Sequence, residues 1–216
     1  MSVLRYARLV KVEHTVFALP FAYVGAFLAV DGVPSAHDLL WITIAMVGAR
    51  SLAMGLNRLI DASIDARNPR TAGRELPAGQ LTEPQVAIFC LISLAVFLLA
   101  VWQLDPIVRW LWPIPVAGFV IYPYLKRFTW LSHLWLGAVD GLAPVGAWVA
   151  ITGELPLEAW LLGGAVACWV AGFDFWTLDD QHGGLTSWRL GGGGGRLGGL
   201  LGVERDYELL AHRPVA

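Results

Sequence analysis

Asn57, Asp61 and Asp65 recur every four residues within the stretch Arg50 to Gly79, a spacing that sets all three along one face of a helix. Arg67, Arg70 and Arg74 follow at once. Two carboxylates and an amide offer oxygens to a hard divalent cation, and arginines suit phosphate. The chemistry this suggests is metal-assisted handling of a phosphate group at a membrane surface. Most charge clusters are solvated helix ends with ordinary charge pairs. Two features weigh against that here. The acids share a face, and the polar stripe begins at Arg50, a turn or more inside an apolar run, where charge is costly and marks function.

The elements that must position these residues are membrane helices. Of 216 residues, 56% are hydrophobic and only 15% charged, with a mean hydropathy of +0.59; that excludes an ordinary soluble domain and points to a multi-span membrane protein. Eleven Trp suit a protein with many interfacial anchors. A net charge of -2 gives no sign of nucleic-acid binding, and no nucleic-acid partner is expected. Cys90 and Cys168 sit in separate apolar runs and read as small buried hydrophobes, not a disulfide or metal pair. The first apolar run lacks a small-residue cleavage site and is read as a helix, not a signal peptide.

Six spans of the length a bilayer requires are expected, over roughly 14–31, 38–59, 85–103, 107–124, 133–151 and 157–175. Pro34, Pro84, Pro106 and Pro156 fall at turns or helix starts, whereas Pro20, Pro113, Pro115 and Pro144 fall inside spans and are expected to kink them. Arg5, Arg8 and Lys11 precede the first span. Arg58, Arg67, Arg70 and Arg74 lie at or in the second link, Lys126 and Arg127 in the fourth. The first and fifth links carry no Lys or Arg, and the third only Arg109. By the positive-inside rule the N-terminus and the acidic stripe face the cytoplasm. A membrane-embedded domain over 1–176 is expected, then a glycine-rich segment over 177–216 that is expected to be poorly ordered, since glycine at that density resists helix and core formation.

The cytoplasmic face then gathers three sets of groups: the Asn57/Asp61/Asp65 stripe with its arginine loop; YPYLKRF, holding Tyr122, Tyr124, Lys126 and Arg127; and GFDFWTLDDQH, holding Asp174, Asp179 and Asp180. Two acidic clusters at corresponding helix ends could hold Mg²⁺ ions on either side of a diphosphate, with Lys and Arg neutralising the departing charge. The hydrophobic tail of such a diphosphate would lie in the bilayer.

NRLIDASIDARNPRTAGRELPAG resembles the first aspartate motif of the UbiA-type aromatic prenyltransferases, N-x-x-x-D-x-x-x-D followed by R-T-x-x-R-x-L/I-P-x-G. KVEHTVFALPFAYVGAFLA and YPYLKRFTWLSHLWLG are similar to that family too, especially its 4-hydroxybenzoate polyprenyltransferase branch. The resemblance covers roughly Arg8 to Asp174. It implies an all-α, polytopic bundle and Mg²⁺-dependent transfer of a polyprenyl group from its diphosphate to an aromatic acid in quinone biosynthesis, in the bacterial inner membrane. It implies Asn57, Asp61, Asp65 and Asp174 as metal ligands, and Asp61, Asp65, Lys126 and Arg127 as the catalytic set. Arg50, Arg67, Arg70, Arg74 and Tyr122 are expected to bind substrate.

The second motif departs from the family. That motif runs D-x(6)-D-x(3)-D; Asp174 matches its start, but Gln181 and Leu185 stand at the next two positions, with Asp179 and Asp180 out of register. The family's three further helices have no counterpart after it. A truncated, inactive fragment of the family is therefore one alternative expectation, and a hydroxynaphthoate acceptor another. A transporter is disfavoured because the first motif has no second copy. His14 and His133, at span starts, read as interfacial. Asp140, mid-span between Val139 and Gly141, reads as a helix–helix hydrogen-bonding partner or else a substrate-pocket group. Arg50, two turns from Asn57 on the same face, could reach the acceptor or steady an aspartate.

The topology is directly testable. In intact cells, a cysteine at Ala78 is expected to resist an impermeant thiol reagent while one at Val33 is labelled. Ready labelling at Ala78, with Val33 protected, overturns the orientation.

Overall fold

The computed structural model describes residues 6, 9–10, 12–68, 71–129 and 131–181, with side chains described at 6, 9–10, 18–68, 71–129 and 131–173. The described elements are all helices: α1 (Val12–Ala29), α2 (Ala36–Asp65), α3 (Glu83–Trp102), α4 (Val108–Leu111), α5 (Pro113–Leu125), α6 (Ser132–Thr152) and α7 (Leu157–Gln181). Residues Met1–Gly172 form one compact unit. Of the segment 177–216 expected to be poorly ordered, residues 177–181 are helical, forming the end of α7, and the rest lies outside the described residues.

Five of the six expected spans each correspond to one helix. The fourth does not. Expected as one kinked helix over 107–124, it is broken into α4 and α5, with Trp112 between them. Pro113 has no N–H to give the preceding turn, so it opens a new helix, and Pro115 sits in that helix's first turn. Pro20 and Pro144 do lie inside helices. Among the described residues three helices, α2, α3 and α6, are long and apolar enough to cross a membrane; Ala18–Ala29 and Leu157–Phe173 are shorter apolar stretches. Many large apolar side chains face outward, Leu91, Ile92 and Leu99 among them, as a lipid-facing bundle requires.

Local chemistry sets the helix ends. Ser35 caps α2, its hydroxyl accepting from the Asp38 N–H at 3.1 Å. Gln85 reaches back to the Thr82 N–H at 3.0 Å at the start of α3. Gly153, at φ 70°, ends α6 in the left-handed conformation that glycine adopts freely. In the packing, α2 lies chiefly against α3, and α1 against α6, while α5 also contacts α2. Close approach of α2 and α3 depends on Gly48, where an added Cβ would lie 2.8 Å from the Phe97 backbone nitrogen.

Two buried clusters form the core. One joins Ala22, Ile42, Phe97, Val101 and Val149 of α1, α2, α3 and α6. The other, at the acidic end of the bundle, joins Leu9, Val10, Leu52, Leu81, Val86 and Cys90, so it fixes the loop after α2 against α3 and the N-terminal residues. Cys90 is buried and free, as expected. Cys168 is also free but exposed, contrary to expectation; in a membrane bundle an outward face is as apolar as an inward one, so hydrophobicity does not separate them.

Candidate diphosphate and acceptor site

The acidic stripe lies on the last turns of α2, where both carboxylates are buried: Asp61 is 3% and Asp65 7% exposed. Unpaired carboxylates at such burial would be strongly unfavourable, so each has gathered cations. Lys126, which follows α5, donates from Nζ to Asp61 Oδ2 and, at 2.7 Å, to Asn57 Oδ1. Arg127 Nη2 donates to Asp61 Oδ1 at 3.1 Å and to the Ile60 carbonyl at 2.8 Å. Their position just past the C-terminus of α5 also suits the negative end of its dipole. Tyr122 and Tyr124 lie beneath them, with Lys126 Nζ 5.5 Å and the Arg127 guanidinium 5.1 Å from the respective ring centres. The structure thus brings Asn57, Asp61, Lys126, Arg127 and Tyr122 together.

Asp65 is held from the loop. Arg74 Nη1 donates to both of its oxygens, at 2.9 and 2.7 Å. The Thr71 hydroxyl donates to the Asp65 carbonyl at 3.0 Å, turning the chain back over the helix end. Arg67 is exposed. Arg70 and the side chain of Asp174 lie outside the described residues, as do the side chains of Asp179 and Asp180.

Sequence reasoning passed over Arg58 as a site residue. It is 8% exposed and lies within the fields of Arg74, Glu75, Asp65 and Asp61. Its signal was present: Asp61 and Asp65 follow it by three and seven residues, a shared helix face. Buried Thr71 was also passed over.

Arg50 lies elsewhere, about 10 Å along α2 from Asn57 at 1.5 Å rise per residue. Its Nη1 donates to Asp140 Oδ1 of α6 at 2.8 Å, with side-chain exposures of 14% and 20%. Asp140 is thus the interhelical partner expected of it, although its partner had no signal in the sequence. Both residues line a cavity of about 290 Å³ whose other walls include Ile42, Met46, Phe119, Val139 and Trp160. Among the described residues they are the only charged ones lining it.

The donor set fits a hard cation in kind. Asn57, Asp61 and Asp65 present oxygens along one face, and the acids are desolvated. Among the described residues no three His, Cys, Asp or Glu side chains cluster closely enough to hold a metal by themselves. Asn57 and non-protein oxygens would therefore have to complete any coordination, which suits Mg²⁺.

A helical membrane bundle with buried acids and bases at one end and an apolar cavity along the same helix defines the class. The UbiA prenyltransferase family matches residues 18–192, and the chain belongs to that family. It is 32% identical over 173 residues to the 4-hydroxybenzoate octaprenyltransferase of Shewanella frigidimarina (strain NCIMB 400), covering 78% of this chain and 60% of that protein. It is 34% identical over 171 residues to the enzyme of that name from Tolumonas auensis (strain DSM 9187 / NBRC 110442 / TA 4), covering 78% and 59%. The chain thus spans about 60% of the length of these curated relatives. Among solved structures it is similar to a UbiA homolog from Aeropyrum pernix K1, at TM-score 0.68 and 36% identity, covering 75% of this chain and 62% of that one. A UbiA homolog from Archaeoglobus fulgidus, bound to GPP and Mg²⁺, shares the fold at TM-score 0.61 and 18% identity, covering 82% and 64%.

The Arg74–Asp65 contact is expected to hold the loop after α2 in place. In Arg74→Met, amide hydrogen exchange over 71–81 is expected to speed up at least several-fold, while α3 stays protected. Unchanged exchange in that loop contradicts the assignment.

Proposed function

We propose that this chain binds a polyprenyl diphosphate at the acidic end of the bundle and an aromatic acid in the cavity beside it, and joins the two. The observation that carries the reading is the juxtaposition of Asn57, Asp61 and Asp65 with Lys126, Arg127 and Arg74. Three oxygen ligands and three cations in one place form a set suited to a diphosphate and its counter-ion. Family membership and the named activity of its relatives support the same reading. The bacterial inner membrane is its proposed location, with the acidic end towards the cytoplasm.

In this reading Asn57, Asp61 and Asp65 would hold Mg²⁺, which would supply positive charge against the leaving diphosphate; Asp174, the further ligand that the family motif implies, has its side chain outside the described residues. Lys126, Arg127 and Arg74 turn from the carboxylates to the diphosphate oxygens and balance the charge that develops there. Arg67, exposed just past α2, would add positive potential there, and Tyr122 braces Lys126. As the C1–O bond breaks, the electron pair leaves with diphosphate. The ring carbon ortho to the acceptor hydroxyl then bonds to the allylic C1, and its proton passes to the released diphosphate, which restores the aromatic ring.

Arg50 takes the acceptor's carboxylate, a planar match for a guanidinium. The apolar walls exclude water that would otherwise capture the cation. A volume of about 290 Å³ sits at the lower end of ligand cavities, roughly 300–1,000 Å³. It suits an aromatic acid and the reacting end of the prenyl group, leaving the remaining tail in lipid.

Asp61→Asn and Asp65→Asn provide the test, because an amide removes charge without reversing it. Each is expected to weaken Mg²⁺-dependent binding of geranyl thiolodiphosphate at least tenfold, the scale of a lost charge-assisted contact of about 1.5–3 kcal/mol. Unchanged binding in both variants removes the reading.

A further inference from the structure

The Arg50–Asp140 pair sets a constraint on what the cavity can accept. A lone guanidinium among Ile42, Met46, Phe119 and Val139 would be costly, and Asp140 cancels its charge at 2.8 Å. With the pair intact, the two charged residues of the lining sum to zero. An incoming carboxylate therefore meets a cation that is already neutralised, beside a second anion. Like charges a few ångströms apart in a partly buried site repel strongly.

The contact between Arg50 and Asp140 runs through Nη1 alone among the guanidinium nitrogens, and Arg50 Nε is buried without a hydrogen-bond partner. The guanidinium thus retains donor capacity for a second anion, and Asp140 sets how favourable that anion is. We propose that Asp140 is a specificity-determining residue: a built-in counter-ion that competes with the acceptor's carboxylate for Arg50. This rests on the acceptor reading above and deepens it. Asp140 balances the charge of Arg50 in the cavity lining, and an anionic acceptor must share Arg50 with it. The same residue weakens anionic ligands relative to neutral ones of equal shape.

A residue that merely positioned Arg50 would act in the opposite direction. Its removal would weaken the carboxylate. The sign of the effect therefore decides.

The probes are 4-hydroxybenzoate and its methyl ester, titrated calorimetrically into the full 216-residue chain in lipid nanodiscs, with Mg²⁺ and geranyl thiolodiphosphate present. Asp140→Asn is expected to tighten the carboxylate relative to the ester by at least about tenfold, within what like charges a few ångströms apart at a partly buried site would repel. An unchanged ratio, or a shift towards the ester, overturns the proposal. Arg50→Gln separates this claim from the one beneath it. Selective loss of carboxylate binding in Arg50→Gln upholds the acceptor reading, whatever Asp140→Asn does. No loss there, or no binding by the unmodified protein, overturns both. Should Asp140→Asn fail to fold, Arg50→Gln is titrated with 4-hydroxybenzylamine. The Asp140 carboxylate, no longer paired with Arg50, is expected to favour that cation several-fold over the ester, and no such gain overturns the proposal.

Discussion

Charge inside an apolar bundle must be matched, and the fold of this protein turns on how Asp61 is matched. It sits 3% exposed at the end of α2, held by Lys126 and Arg127 from the far end of α5. Neither partner is near it in sequence. Satisfying that one carboxylate brings α5 against α2 and fixes the position of the Tyr122 and Tyr124 rings. Asp65 does the same for the loop through Arg74. Removing one member of such a set leaves the other charge stranded, which costs more than the pair contributes. The arrangement is therefore held together by the same groups that are proposed to bind substrate.

This dual use has a thermodynamic consequence. Without ligand, the oxygens of Asn57, Asp61 and Asp65 are already engaged by cations. A divalent metal can take those oxygens only if the cations move, and moved cations need an anion. The proposed diphosphate would supply that anion. Metal and diphosphate should then bind as a pair, each lowering the cost of the other, because each relieves the charge the other displaces. In the proposed reading, Lys126, Arg127 and Arg74, which pair with the carboxylates here, would turn to the diphosphate when it binds.

Much of this was legible in the sequence, and the limits have physical causes. The four-residue spacing of Asn57, Asp61 and Asp65 is a local property, so the shared helix face followed directly. Five helices followed from apolar runs of membrane length. The break at Trp112 did not, because Pro113 and Pro115 are compatible with either a kink or a fresh start. The Arg50–Asp140 pair spans 90 residues, and no periodicity links residues so far apart. Arg58 was missed because its charge was read as a topology signal, although it shares the face of Asp61 and Asp65. Exposed Cys168 was misjudged because lipid-facing and core-facing positions have the same composition.

Electron paramagnetic resonance of Mn²⁺, standing in for Mg²⁺, measures the central claim most directly. The metal is titrated into the purified protein with and without geranyl thiolodiphosphate. The account predicts weak Mn²⁺ binding to the protein alone, and binding at least tenfold tighter with the diphosphate than the protein or the diphosphate shows separately. Equally tight Mn²⁺ binding in the absence of diphosphate, or no gain from combining the two, contradicts it.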